Sequence, residues 1–132
     1  MAFQTLHPKF IYADLSFKII GCAYTVHNSL GGGHLEKTYH NALFLEFTKK
    51  KMQFVSKQKV DISYGKSEVN NYFPDFIVEN LVVVEIKRRG RIITKDFEQA
   101  RRYLSSAGKQ LSLLIHFGME RVTVKRVVNM LP

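Results

Sequence analysis

Three residues in one short stretch have types and spacing suited to chemistry. They are Asp75, Glu85 and Lys87, within Asn71 to Lys87, N-Y-F-P-D-F-I-V-E-N-L-V-V-V-E-I-K. The stretch reads as two strands joined by a tight turn. A strand alternates its side chains between two faces, so Glu85 and Lys87 share a face inside an otherwise apolar run. A charge buried in such a run costs several kcal/mol unless it is paired or metal-bound. Glu85 and Lys87 therefore form either an internal ion pair or part of a site.

The length of the turn decides where Asp75 falls. A two-residue turn at Glu79-Asn80 pairs Val78 with Leu81, which puts Asp75 opposite Val84 and Glu85 on the other face. A three-residue loop, Glu79-Asn80-Leu81, with Asn80 left-handed, puts Asp75 directly opposite Glu85. Their Cβ atoms would then lie about 5 Å apart. Two carboxylate charges ~4 Å apart repel by about 4 kcal/mol at an effective dielectric near 20. Lys87 offsets part of that, and a divalent cation offsets more, since carboxylate oxygens are what Mg²⁺ or Mn²⁺ prefers. An Asp–Lys or Glu–Lys ion pair at a sheet end explains the same spacing.

The surrounding elements follow from periodicity. Residues 1–12 show no period. From Leu15, apolar residues recur at Ile19, Cys22, Ala23, Val26 and Leu30, a helical stripe with Asp14 as a candidate N-cap. Gly31-Gly32-Gly33 ends it. A second helix is predicted from about His34 to Lys51, its terminal Lys49-Lys50-Lys51 suiting the negative end of the helix dipole. Strands are predicted over Phe54–Tyr64, Asn71–Val78 and Leu81–Lys87, the last covered on both faces. Thr94 and Asp96 open a helix striped by Phe97, Ala100, Leu104 and Ala107 and stopped by Gly108. Strands over Leu111–Phe117 and Val122–Val128 complete the order α-α-β-β-β-α-β-β. A helical crossover makes the strands it joins parallel, which predicts a mixed central sheet flanked by helices, an α+β arrangement.

The chain has 132 residues, 45% of them hydrophobic, and reads as one domain with a core of its own. Its single cysteine, Cys22, excludes an internal disulfide framework and suits a reducing, cytoplasmic setting. No signal-peptide pattern opens it, and no run reaches the ~18 apolar residues of a membrane helix. The net charge of +9, from 20 Lys and Arg against 11 Asp and Glu, favours anionic partners, nucleic acid first. In so basic a chain, several acids converging on one spot would be unusual.

Pro74-Asp75 followed by Glu85-Ile86-Lys87 resembles the PD-(D/E)xK signature of a nuclease superfamily that includes restriction and repair endonucleases. Upstream, Leu30-Gly31-Gly32-Gly33-His34-Leu35-Glu36-Lys37-Thr38-Tyr39 is similar to the motif that names the GxxExxY family, a branch of that superfamily. Gly33, Glu36 and Tyr39 fill its three named positions. Gln99 to Leu104 resembles the QxxxY helix of related nucleases, and Leu113 to Gly118 their closing strand. The resemblance spans about Leu15 to Val127. It departs from the family pattern at His34-Leu35, where two apolar residues are commoner, and at Gly32, where proline is common.

The resemblance implies a restriction-endonuclease-like αβββαβ core and a metal-dependent phosphodiesterase site. Asp75 and Glu85 would be the main ligands of Mg²⁺ or Mn²⁺, with Glu36 the helix carboxylate beside the metal. Lys87 would be the catalytic lysine, and Gln99 and Tyr103, four apart on one helix face, would line the site. Physical chemistry allows each role: a cation activates water and clamps phosphate, and Lys87 can orient that water or stabilise phosphoryl charge. Arg88, Arg89, Arg91, Arg101 and Arg102 would bind nucleic acid, DNA before RNA, around the acidic pocket. Blander roles exist. Glu36 suits any first turn, and Tyr39 and Tyr103 suit a core with satisfied hydroxyls. The five histidines show no ligand spacing with cysteine, which argues against zinc. Two further readings compete with a nuclease: a nuclease-fold module with a weak or inactive site that binds nucleic acid or protein, and a structural or oligomerisation domain. The chain leaves no room for a separate target-recognition domain, so sequence specificity would come from a partner, a homo-oligomer, or not at all.

Overall fold

The computed structural model describes residues 11–87 and 90–129. Two helices open the fold, α1 (Ala13–Leu30) and α2 (Glu36–Lys49). The strands β1 (Phe54–Ser56), β2 (Val60–Tyr64), β3 (Ser67–Tyr72), β4 (Phe76–Val78) and β5 (Val82–Lys87) follow. Helix α3 (Thr94–Ala107) then leads to β6 (Leu111–Phe117) and β7 (Val122–Val128).

The central sheet runs β1-β4-β5-β6-β7. Only β5 and β6, the strands joined through α3, pair in parallel, as a helical crossover requires. The result is the expected mixed sheet. Its α1/α2 face buries Val82, Val84 and Ile86 with Leu111, Leu113, Ile115, Ile19, Leu43 and Phe47. Its other face buries Ile77, Val83, Leu114 and Val127 under Ala100 and Leu104 of α3. β5 is therefore apolar on both sides until Glu85, where the α3 face turns polar.

Three expectations change. The strand predicted over Phe54–Tyr64 breaks at Lys57, which adopts a left-handed φ of 53°; β1 joins the central sheet while β2 forms a separate two-stranded sheet with β3. The strand predicted from Asn71 likewise ends at Tyr72, because Pro74 has no N–H for a ladder, and resumes at Phe76. At the start of α1 the N-cap position is Tyr12, not Asp14, which lies in the first turn. The helix start is set by a tertiary contact instead: the Arg126 guanidinium of β7 donates to Ser16 Oγ at 2.8 Å and to the Ile11 carbonyl.

The glycine loop is built around β6–β7. A Cβ on Gly32 would stand 2.4 Å from the Met119 Cα, so the two backbones meet only if that position carries no side chain. Fully buried Tyr39 stacks on Phe117 at 4.3 Å and donates its hydroxyl to the Gly31 carbonyl at 2.7 Å. It also accepts the His34 N–H at 3.2 Å. Its place is the core, where it braces the loop ahead of Glu36.

Candidate active site

The turn takes the odd length that a shared site needs. Val78 pairs with Val82, Ile77 with Val83 and Phe76 with Val84, leaving Glu79-Asn80-Leu81 as the loop. Asn80 is left-handed (φ 58°), and so is Glu79 (φ 53°), with Leu81 N–H closing on the Val78 carbonyl at 2.9 Å. One step beyond the ladder, Asp75 faces Glu85, and the Asp75 N–H donates to Glu85 Oε1 at 3.3 Å.

Asp75 is held from several directions. Its Oδ2 accepts the Ile86 N–H at 2.8 Å, taking the place of a ladder partner where β4 has not yet begun. Its backbone carbonyl accepts the Lys57 N–H at 3.1 Å and lies 3.3 Å from His40 Nε2. His40 is buried, stacks on Phe76 at 4.4 Å and meets Ser56 Oγ at 3.0 Å. The Asp75 carboxylate is 18% exposed, with Lys57 Nζ 3.4 Å from Oδ1. Burial and the neighbouring Asp75 charge push the Glu85 carboxyl up to about 7, against smaller downward pulls from the Asp75 N–H and then Lys87.

Helix α3 supplies the opposite wall. Asp96 accepts the Ile93 N–H at 2.9 Å in its first turn and holds Lys87 Nζ at 3.5 Å, so Lys87 stands beside the acids but ion-paired to the helix. Gln99 Nε2 donates to the Tyr103 hydroxyl at 3.0 Å, the contact expected of an i, i+4 pair. Tyr103 stacks on Tyr72 at 3.8 Å, and Tyr72 donates its hydroxyl to the Tyr103 carbonyl at 2.8 Å. Burial, Glu85 and Tyr103 all push the Tyr72 phenol upward, so it stays a protonated donor.

Glu36 lies across the mouth. With Lys37, His40, Asn41, Lys57 and Asp75 it lines a cavity of about 430 Å³, so it shares a cleft with one member of the acid pair. Among the described residues no three His, Cys, Asp or Glu side chains converge as a ready-made metal centre. Two opposed carboxylates still fit a divalent cation such as Mg²⁺, which commonly binds through one or two carboxylates and fills its other positions with water and phosphate oxygens.

Arg101 and Arg102 border a groove with Glu98, Ser105 and Asn129. Arg91 is exposed, while Arg88 and Arg89 lie outside the described residues. Conversely, Lys57, His40, Tyr72 and Asp96 touch the site or its supports without having been singled out for it. Lys57 and Tyr72 fell inside apparently continuous strands, and only the breaks at Lys57 and Pro74 expose them. The sole hint for Tyr72 was its place three residues before Asp75.

The family profile of the PD-(D/E)XK nuclease superfamily matches residues 13–127. This chain belongs to that superfamily, whose members generally use divalent metal ions. The crystal structure of SSO0001 is similar with a TM-score of 0.54 and 15% identity, over 94% of this chain and 60% of that one. At that identity the likeness is one of fold, and this chain spans 60% of that protein's length. The crystal structure of an alkaline exonuclease, LHK-Exo from Laribacter hongkongensis, matches with a TM-score of 0.49 and 10% identity, over 86% of this chain and 82% of that one. No curated protein matches.

Proposed function

We propose that this protein is a metal-dependent phosphodiesterase that cleaves the backbone of DNA or RNA, DNA before RNA, and belongs to the GxxExxY branch of its superfamily. The observation that carries the reading is the opposed pair Asp75 and Glu85, with Lys87 one strand period further along the same face. Asp75 and Glu85 would hold Mg²⁺ or Mn²⁺, with Glu36 reaching the ion from the cavity wall. When bound, such a cation supplies charge to the scissile phosphate and makes water nucleophilic near neutral pH.

The chain's own groups do the positioning. Lys87, released from Asp96, would donate to a phosphoryl oxygen and stabilise the charge that builds there. The Gln99 amide would donate to a phosphate while the Tyr103 hydroxyl accepts from it, and the Tyr72 stack keeps that hydroxyl in place. Exposed Arg91, with Arg88 and Arg89, would bind phosphates along the strand.

A second reading, a nuclease fold that binds nucleic acid without cutting it, draws support from the absence of a third converging ligand among the described residues. Titrating Mg²⁺ or Mn²⁺ against wild type and Asp75→Ala, while following single- and double-stranded DNA and RNA, separates the two. We expect cation-dependent cleavage of at least one substrate and a loss of roughly a hundredfold or more in Asp75→Ala. Salt-dependent binding that survives the substitution, with no cleavage by wild type, would establish the binding module instead.

A further inference from the structure

Lys57 is the residue of the site that no strand or motif required. It ends β1 in a left-handed conformation that residues other than glycine, asparagine and aspartate seldom adopt. That turn does two things at once. It brings the Lys57 N–H to the Asp75 carbonyl at 3.1 Å, and it sends the side chain back so that Nζ stands 3.4 Å from Asp75 Oδ1. The Lys57 side chain is 59% exposed, so its ammonium is hydrated and free to swing. It also lines the cavity it shares with Glu36, Lys37 and Asn41, whose volume falls in the range of ligand clefts.

A lysine ammonium and a divalent cation cannot both occupy the same carboxylate edge without repelling each other. We infer that Lys57 is a resident cation on Asp75: it yields that carboxylate to the divalent ion and then takes a phosphodiester oxygen of the substrate strand in the cavity beside α2. It thereby keeps the acid pair partly neutralised when no metal is bound, and becomes a phosphate ligand when one is. The inference rests on the cation-holding role proposed above for Asp75. It adds a strand path in the cleft beside α2.

The test uses Mn²⁺ alone and, separately, a phosphorothioate DNA oligonucleotide that resists cleavage. Calorimetry on wild type, Lys57→Met, Lys57→Gly and Lys57→Arg reads the exchange; glycine accepts the left-handed backbone, so that variant keeps the turn. Removing the ammonium is expected to tighten Mn²⁺ binding by roughly three- to tenfold in Lys57→Met and Lys57→Gly, with Lys57→Arg close to wild type. Oligonucleotide affinity should fall in the same two variants, with the salt slope reduced by about one phosphate contact, ~0.7 for a single strand. Mn²⁺ binding that is unchanged or weaker in both variants, or an unchanged salt slope, would overturn the inference. The two readings fail differently. Wild type that binds Mn²⁺ through Asp75 yet cleaves nothing rejects the nuclease, while tighter Mn²⁺ binding in Lys57→Met would still support the exchange. Cleaving wild type matched by Lys57→Met on both measurements rejects only the role of Lys57.

Discussion

Glu85 is held in surroundings that disfavour its charge. Its carboxyl, ordinarily near 4.5, is raised to about 7 by burial and by Asp75. A raised carboxyl pKa means that the folded state binds the proton more tightly than the unfolded chain does. The associated stability is fully present below about 4.5 and is lost as pH rises through about 7, by up to about 3 kcal/mol. Glu85→Gln keeps an oxygen for the Asp75 N–H and removes the charge. In chelator, its melting temperature should exceed that of wild type by up to about 10 °C at pH 8, and the gap should close toward pH 4.5. Equal melting at both pH values would show that the carboxylate is not strained. Lys87→Ala, by contrast, should lower turnover by roughly a hundredfold and leave Mn²⁺ affinity within about twofold, because Lys87 pairs with Asp96 and not with the acids. A loss of Mn²⁺ binding in that variant would make Lys87 a structural partner of the acid pair.

At the scale of elements, the two helices before the sheet exist to deliver a loop and a helix start. Gly32 and Gly21 make the point by contrast. Gly32 meets the Met119 and Gly118 backbone, which cannot move aside as a side chain would, whereas nothing stands within 4 Å of a Cβ at Gly21 in the middle of α1. Gly21→Ala should stabilise the fold by about 1 kcal/mol through helix propensity. Gly32→Ala should destabilise it by about 1–3 kcal/mol and displace the start of α2, and with it Glu36. Urea melts of the two variants check both signs, and a neutral Gly32→Ala would mean the loop does not rest on β6–β7. Strand β6 carries a second test. The Ser112 hydroxyl is buried between Val83 and Val127 and has no hydrogen-bond partner among the described residues, so Ser112→Ala should raise stability by about 1 kcal/mol.

For the whole molecule, the charge of +9 and the acid pair would serve different steps of the proposed reaction. Long-range attraction would bring a polyanion to the surface, and the carboxylates with a cation would act on one phosphate. Oligonucleotide affinity in chelator should therefore fall by about tenfold or more between ~50 and ~200 mM salt, as fluorescence anisotropy would show. Arg101 and Arg102 border a groove with Glu98, Ser105 and Asn129. Replacing both with alanine should raise KM and leave kcat within about twofold. A fall in kcat would mean that the groove and the cleft act together.

Much of this protein is legible in its sequence, for reasons that are local. The crossover helix and its Gly108 stop, the strands Leu111–Phe117 and Val122–Val128, and the parallel pairing they force all follow from period, caps and chain reach. The spacing of Asp75, Glu85 and Lys87 placed a site or an ion pair on one sheet face, but two turn lengths were compatible with the residues. Tertiary structure decided between them, because the register of β4 on β5 is set by burying Phe76, Val78, Val82 and Val84 against the first two helices. It also broke one predicted strand at Lys57, moving Lys57 onto Asp75, and set Tyr72 on Tyr103. Those outcomes depend on which surfaces meet across the sheet, and no periodicity along a single chain encodes that.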